Sequence, residues 1–204
     1  MDNKKNSVSS KEKCLDQEYW DIQYKTNATG WDLGKVSPPI KIYINTLKDK
    51  NISILIPGCG NSYEAEHLLN QGFTNVTVLD IAPTLIENLQ RKFENNSNIT
   101  ILLSDFFEHQ GVYDLIIEQT FFCALPPTMR QKYVSKMHQL LSNKGKLVGL
   151  LFNKTFEAGP PFGGSQSEYE EFFKNHFEFL QIDLCQNSVK PRANSELFIE
   201  FQKK

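Results

Sequence analysis

Ile52-Ser53-Ile54-Leu55-Ile56 is an apolar run that ends at Pro57-Gly58-Cys59-Gly60-Asn61, and a second run, Val76-Thr77-Val78-Leu79, ends at Asp80. A strand closed by glycines, a spacer of helix length and a strand closed by a carboxylate make one β-α-β unit, which commits the chain to a parallel sheet. Asp80 follows Gly58 by 22 residues, the spacing at which an acidic side chain reaches a ribose diol beside a glycine turn. The unit therefore predicts a nucleoside-bearing ligand. The turn continues Asn61-Ser62-Tyr63 without a third glycine, and no phosphate loop ending in Gly-Lys-Ser/Thr occurs. A diphosphate is disfavoured.

The alternation continues. A helix over 62–70 turns Ala65, Leu68 and Leu69 inward, with Gly72 just past its end. A strand over 76–80 is followed by Pro83 at a first helical turn, then Leu85, Leu89 and Phe93 at helical spacing. Strands are expected near 99–103 and 113–117. A helix over 128–141 carries Met129, Tyr133, Met137, Leu140 and Leu141 inward. Gly145 then ends that crossover before a doubly covered strand, Lys146 to Phe152. A Gly/Pro loop (157–165), a short helix with Tyr169, Phe172 and Phe173, and two closing antiparallel strands (177–184, 196–202) complete the reading. Upstream, Tyr19, Trp20 and Tyr24 share a helical face or neighbouring ones, Asn27-Ala28-Thr29-Gly30 breaks that helix, and Ile40, Tyr43, Ile44 and Leu47 repeat at helical spacing. The reading is one domain over 14–204, with 1–13 as a disordered tail.

Composition narrows the partners. Twenty-two basic against 24 acidic residues leave a net charge of −2, without the basic stripe of a nucleic-acid binder. No apolar run is long enough to cross a bilayer. The polar, basic start has no apolar core to follow, so it is not a secretory signal. Four scattered cysteines (14, 59, 123, 185) match no zinc spacing and suit the reducing cytoplasm. The four histidines are singles, and no metal is expected.

Candidate ligand residues follow from the strand ends. Gly58 and Gly60 permit close approach to a ligand. Asp80 either grips a ribose or caps the helix at Pro83. Asp105, after the strand Ile101-Leu102-Leu103-Ser104, either meets an adenine amino group or caps a turn, with Phe106 against the ring or lending its backbone N–H. Cys59 and Cys123 have no base at short spacing and are not read as nucleophiles.

Tyr19-Trp20 with Trp31-Asp32, then Ile56-Pro57-Gly58-Cys59-Gly60, Tyr113-Asp114-Leu115-Ile116 leading to Phe121-Phe122-Cys123-Ala124, and Gly159-Pro160-Pro161-Phe162, taken together, resemble the thiopurine S-methyltransferase family of class I methyltransferases. The resemblance runs over about 15–202 and lies nearest the branch of plant halide and thiol methyltransferases. It implies an α/β Rossmann-like fold with a seven-stranded sheet of order 3-2-1-4-5-7-6, strand seven antiparallel. It also implies S-adenosyl-L-methionine as cofactor, S-adenosyl-L-homocysteine as product, and a covering segment over 14–47. Carried over, Trp20, Tyr24 and Trp31 belong to that cover, and Gly58 passes under the methionine. Gly60, Asp80 and Ile81 meet the nucleoside, and Asp105 and Phe106 flank the adenine. Glu118, just past strand four, sits near the methionine end or the acceptor. Glu118-Gln119 stands where plant relatives show aspartate-tyrosine.

The implied reaction is an in-line displacement by a soft nucleophile such as a thiol, thiopurine, sulfide, thiocyanate or halide. The cofactor supplies the electrophile, and the protein supplies placement and shielding. Aromatic faces attract a sulfonium. Asp32, Glu118 and Arg192 are the candidate polar residues of the acceptor site, with Phe121, Phe122, Pro160, Pro161 and Phe162 as apolar lining. The expected partner is a small-molecule acceptor, with no nucleic acid and no membrane, and the chain is expected to be a monomer, a homodimer being the alternative. An NAD(P)-dependent oxidoreductase and a non-catalytic nucleoside-binding module are the competing functions.

Overall fold

Alternating burial sets the sheet. In the computed structural model, which describes residues 14–204, Ile54 and Ile56 of β1 (Ile54–Pro57) face one side and Leu55 the other, all buried. The expected tail, 1–13, lies outside the described residues. Both sides of the sheet are covered, so its inner strands are apolar on both faces. On one side Ile54, Ile56, Val76 and Val78 pack against Ile40 and Ile44 of α2 (Pro38–Thr46), Leu68 of α3 (Tyr63–Asn70) and Leu85 and Leu89 of α4 (Pro83–Lys92). On the other, Leu55, Ile116 and Leu147 pack against Tyr133 and Met137 of α5 (Arg130–Leu140) and Phe173 of α6 (Gln166–Phe173).

With β2 (Val76–Asp80), β3 (Ile99–Leu103), β4 (Tyr113–Gln119), β5 (Leu141–Phe152), β6 (Phe177–Leu184) and β7 (Glu196–Lys203), the sheet runs β3-β2-β1-β4-β5-β7-β6. Strands β1 to β5 are parallel, and β7 is antiparallel to both of its neighbours. This is the doubly covered, seven-stranded Rossmann-like arrangement that the family resemblance implies. The strand order reverses between β1 and β4, and ligands bind at such a switch point, outside the carboxyl ends of the strands.

Two differences from the expected boundaries bear on the sheet around the site. Gly145 does not end the crossover. Strand β5 starts at Leu141, opposite Tyr113, and the register with β4 shifts before Leu115 pairs with Lys146. Gly145 lies in that irregularity, where an added Cβ would stand 3.0 Å from the carbonyl oxygens of Ser142 and Tyr113, a usual site for strand glycine. Strand β4 also continues two residues further than expected, to Gln119, which puts Glu118 inside the sheet.

Candidate functional site

A cavity of about 890 Å³ opens over the carboxyl ends of the central strands. Its floor is the turn after β1. Gly58 (φ +56°) and Gly60 (φ +49°) are left-handed, a conformation that suits glycine. A Cβ at Gly58 would lie 2.2 Å from the Phe121 ring, whereas at Gly60 the nearest atom is the Tyr24 hydroxyl at 3.6 Å. Gly58 is thus needed for conformation and for space, and Gly60 for conformation alone. The Cys59 N–H donates to the Leu79 carbonyl at 3.1 Å and fixes the turn against β2.

Asp80, the last residue of β2, is buried and borders the cavity. Its Oδ2 accepts from the Gly60 N–H at 3.3 Å and its Oδ1 from the Ala82 N–H at 3.1 Å. Each oxygen keeps a lone pair for a hydroxyl donor. Burial pushes the carboxyl up to about 6, against the lowering effect of the Ala82 and Gly60 N–H groups. The two readings of Asp80 in the sequence are therefore compatible, because it steadies the entry to α4 while facing the cavity. Asp105 is exposed, and its Oδ1 accepts from the Phe107 N–H at 2.8 Å, as in the capping alternative. Asp105, Ile81 and the buried Phe106 all border the cavity beside Asp80.

The roof is α1 (Gln17–Lys25) with the segment after it. Trp31 stands edge-on to Trp20 and to Tyr24, with centroids 5.5 and 6.0 Å apart, and all three line the cavity. Burial first, and then the charge of Asp80, push the Tyr24 phenol far up, so it stays protonated. Two residues unremarked in the sequence hold α1 down. The Gln17 amide donates to the Ile81 carbonyl at 3.0 Å, and Asp21 accepts from the Thr84 N–H at 2.7 Å while pairing with Lys25 at 2.6 Å. Asp21 thereby meets an otherwise unpartnered donor at the start of α4. The spacing Gln17, Asp21, Lys25 put a polar stripe on one helical face, which was the signal available.

Asp32 and Arg192 also hold this roof. The Asp32 carboxylate accepts from the Asn61 amide, from the Tyr63 hydroxyl at 3.2 Å and from the Gly34 N–H at 2.7 Å. Arg192 is buried rather than a solvated surface residue. Its guanidinium donates to the Trp31 carbonyl at 2.8 Å, pairs with the buried Glu196 at 3.4 Å and lies 5.6 Å from the centroid of the Phe152 ring. The two residues expected at an acceptor site fasten the covering segment to α3 and to the approach to β7.

Glu118 departs further. It lies within β4, not past it, has no exposed surface and does not border the cavity. Its Oε1 accepts from the Phe121 and Phe122 N–H groups at 2.7 and 2.9 Å, and its Oε2 from the Tyr133 hydroxyl at 2.5 Å. Burial raises it to about 7, against these three donors. Its work is to set the bend that lays Phe121 over Gly58. Gln119 and Thr120, the next residues, border the cavity instead. An extended strand turns alternate side chains to opposite faces, and the two-residue extension of β4 decided which of the pair faces the ligand.

Leu125, Phe152, Phe156, Pro160 and Pro161 give the far end of the cavity an apolar wall. Arg130 holds the Gly/Pro loop there by donating to the Gly163 carbonyl at 2.5 Å and pairing with Glu168. Burial pushes the Cys59 and Cys123 thiols well up, so neither is a ready nucleophile.

These residues fit a nucleoside sulfonium better than a dinucleotide. Asp32, bonded to Asn61 and Tyr63, and Glu64 stand at the glycine turn and the start of α3, where a diphosphate would otherwise sit. Their charge opposes an anion and favours a cation.

The family model described as Thiopurine S-methyltransferase (TPMT) matches residues 15–200. The chain is 35% identical over 184 residues to a probable thiol methyltransferase 2 of Arabidopsis thaliana, covering 87% of this chain and 81% of the relative. It is 27% identical over 185 residues to a thiocyanate methyltransferase 1 of Brassica oleracea, with the same coverages. The solved structure of Burkholderia thailandensis 1,6-didemethyltoxoflavin-N1-methyltransferase with bound S-adenosylhomocysteine shares the fold, with a TM-score of 0.74 at 17% identity, over 92% of this chain and 87% of that one.

Proposed function

This chain belongs to the thiopurine S-methyltransferase family, and on that premise we propose that it transfers the methyl group of S-adenosyl-L-methionine to a small soft nucleophile, a thiol, thiopurine, sulfide, thiocyanate or halide. The cofactor supplies an electrophilic methyl group on a sulfonium. Asp80 carries the reading, because a buried carboxylate with one backbone donor on each oxygen faces the cavity at the switch point of the sheet. It holds the ribose diol by charge-assisted hydrogen bonds. Phe106 packs against the adenine and Asp105 meets its amino group. Gly58 and Gly60 let the backbone approach the methionine end.

Trp20, Tyr24 and Trp31 close over the cation and exclude water, which strips the hydration shell of the attacking nucleophile. Asp32 and Arg192 act on this roof as positioning residues, and Glu118 acts likewise through Phe121. The acceptor approaches along the apolar wall of Phe121, Phe152, Phe156 and Pro161. The relatives named for thiol and thiocyanate methyl transfer support the acceptor class. Four free cysteines, three of them buried, support a cytoplasmic location. The working unit is a monomer that needs no nucleic acid, membrane or metal.

The test is a panel assay with cofactor labelled in the methyl group against hydrosulfide, thiocyanate, iodide, an aromatic thiol and a mercaptopurine. Transfer to at least one is expected. Tight binding of S-adenosyl-L-homocysteine with no transfer to any would replace the enzyme reading by that of a nucleoside-binding module.

A further inference from the structure

The charged residues around the cavity are sorted by strand. The carboxylate Asp80 ends β2, Asp105 follows β3, Glu64 follows β1, and Asp32 lies on the roof bonded to Asn61 and Tyr63. Of the cations, Lys35 lies on the roof after Asp32, whereas Lys154 and Arg192 lie on the other side of the switch point, after β5 and before β7. In the order β3-β2-β1-β4-β5-β7-β6, the nucleoside half of the crevice is acidic and the opposite half is basic.

Lys154 and Arg192 differ in what holds them. Arg192 is buried, paired with Glu196 and bonded to the Trp31 carbonyl. Lys154 is exposed and has no carboxylate partner among the described residues; its ammonium stands 4.6 Å from the centroid of the Phe156 ring in the apolar wall. Its backbone is fixed by a bridge to Gly164, whose N–H donates to the Lys154 carbonyl at 3.1 Å. An anchored backbone whose ammonium no carboxylate neutralises among the described residues presents a positive charge beside the apolar wall. Low-dielectric walls focus such a field and raise the local concentration of anions.

We propose that Lys154 is a specificity-determining residue that draws anionic acceptors into the far half of the crevice and holds them opposite the acid-lined nucleoside half. This rests on the methyl-transfer reading above for the identity of the two halves. It predicts that acceptors carrying a negative charge are favoured over neutral ones of equal size, through capture rather than through the transfer step.

The experiment titrates thiocyanate, and separately iodide, into the full-length protein saturated with S-adenosyl-L-homocysteine, for the wild type and for Lys154→Gln, Lys154→Glu and Lys154→Arg, at two ionic strengths. Binding is read by calorimetry and by quenching of Trp20 and Trp31 fluorescence. Lys154→Gln should weaken anion binding about five- to tenfold, the scale of one charge at contact distance in a water-exposed site. Lys154→Glu should weaken it more, and Lys154→Arg should restore it. The salt dependence of the wild type should flatten in Lys154→Gln. In turnover with thiocyanate the loss should fall on KM. Equal anion affinity and equal salt dependence in wild type and Lys154→Gln would overturn the proposal, as would a loss seen only with Lys35→Gln, the other exposed lysine at the cavity. The binding readout needs no transfer: failure to hold S-adenosyl-L-homocysteine sinks the methyl-transfer reading, while retained product binding with charge-blind anion affinity sinks this one alone.

Discussion

Asp80 has to hold a charge where burial resists one. Ligand hydroxyls need the carboxylate, yet burial works against it, with the carboxyl raised from 3.8 to about 6. The consequences for binding and for stability have opposite signs. Affinity for S-adenosyl-L-homocysteine should fall as pH drops through about 6, approaching tenfold per pH unit in calorimetric titrations, and should be level above 7. Asp80→Ala should cost about 1.5–3 kcal/mol of that affinity and abolish its dependence on pH; unchanged affinity in a folded variant would remove Asp80 from the site. For folding, Asp80 and Glu118 (4.5 raised to about 7) both bind protons more tightly in the native chain. The native state therefore carries extra protons between pH about 4 and 7, and the contribution of this pair to stability shrinks as pH rises through that window. Denaturant titrations of Glu118→Gln should show a flatter decline over its upper half. The amide oxygen can still accept from Phe121 and Phe122, so product binding should persist. Glu118→Ala leaves three donors unpaired, two of them buried, and should lose about 2–4 kcal/mol of stability.

The roof and the floor are separate elements whose meeting makes the cavity, and each hangs on few bonds. Asp21→Ala removes the acceptor for the Thr84 N–H and the partner of Lys25. It should weaken product binding several-fold while costing only about 0.5–2 kcal/mol in stability, the scale of a lost helix cap. Faster proteolysis or hydrogen exchange confined to α1 would show that the helix has come loose, and unchanged exchange there would refute the anchor. On the floor, Gly58→Ala combines a left-handed backbone with a Cβ 2.2 Å from the Phe121 ring. It should destabilise by roughly 2–4 kcal/mol and displace Phe121. Elements with strong periodicity were legible in the sequence to the residue: β2, β3 and β6 start and stop where their apolar runs do. The end of β4 was not, because Glu118 and Gln119 break the apolar run although their backbone continues the ladder beside Gly149 and Leu150. That misplaced the Glu118 side chain. The tethers Arg192 to Trp31 and Asp32 to Asn61 were equally hidden, since they join residues 161 and 29 positions apart that no local pattern couples.

At the scale of the molecule, the cavity joins pieces that the chain brings from its start, its middle and its end: the roof before β1, the strand ends from β1 to β5, and the turn before β7 that carries Arg192. A ligand bridging roof and floor stabilises the native state without any equivalent in the unfolded chain. The gain is about 2.7 kcal/mol at a hundredfold excess over Kd. For a chain of 204 residues that corresponds to a rise in Tm of about 5–10 °C. S-adenosyl-L-homocysteine should produce this shift at pH 7.5. The shift should shrink markedly at pH 5, where Asp80 is protonated and cannot accept from a ribose in both directions. NADH at the same concentration should produce none, because its diphosphate would face Asp32 and Glu64 at the start of α3. A shift with NADH equal to that with the thioether nucleoside would mean that the acid cluster does not govern the choice of nucleotide, and would restore the oxidoreductase alternative. A shift with the thioether that ignores pH would mean that the ligand is gripped by the roof alone. Asp21→Ala would then lower it far more than Asp80→Ala, the reverse of the order that a carboxylate-held ribose requires.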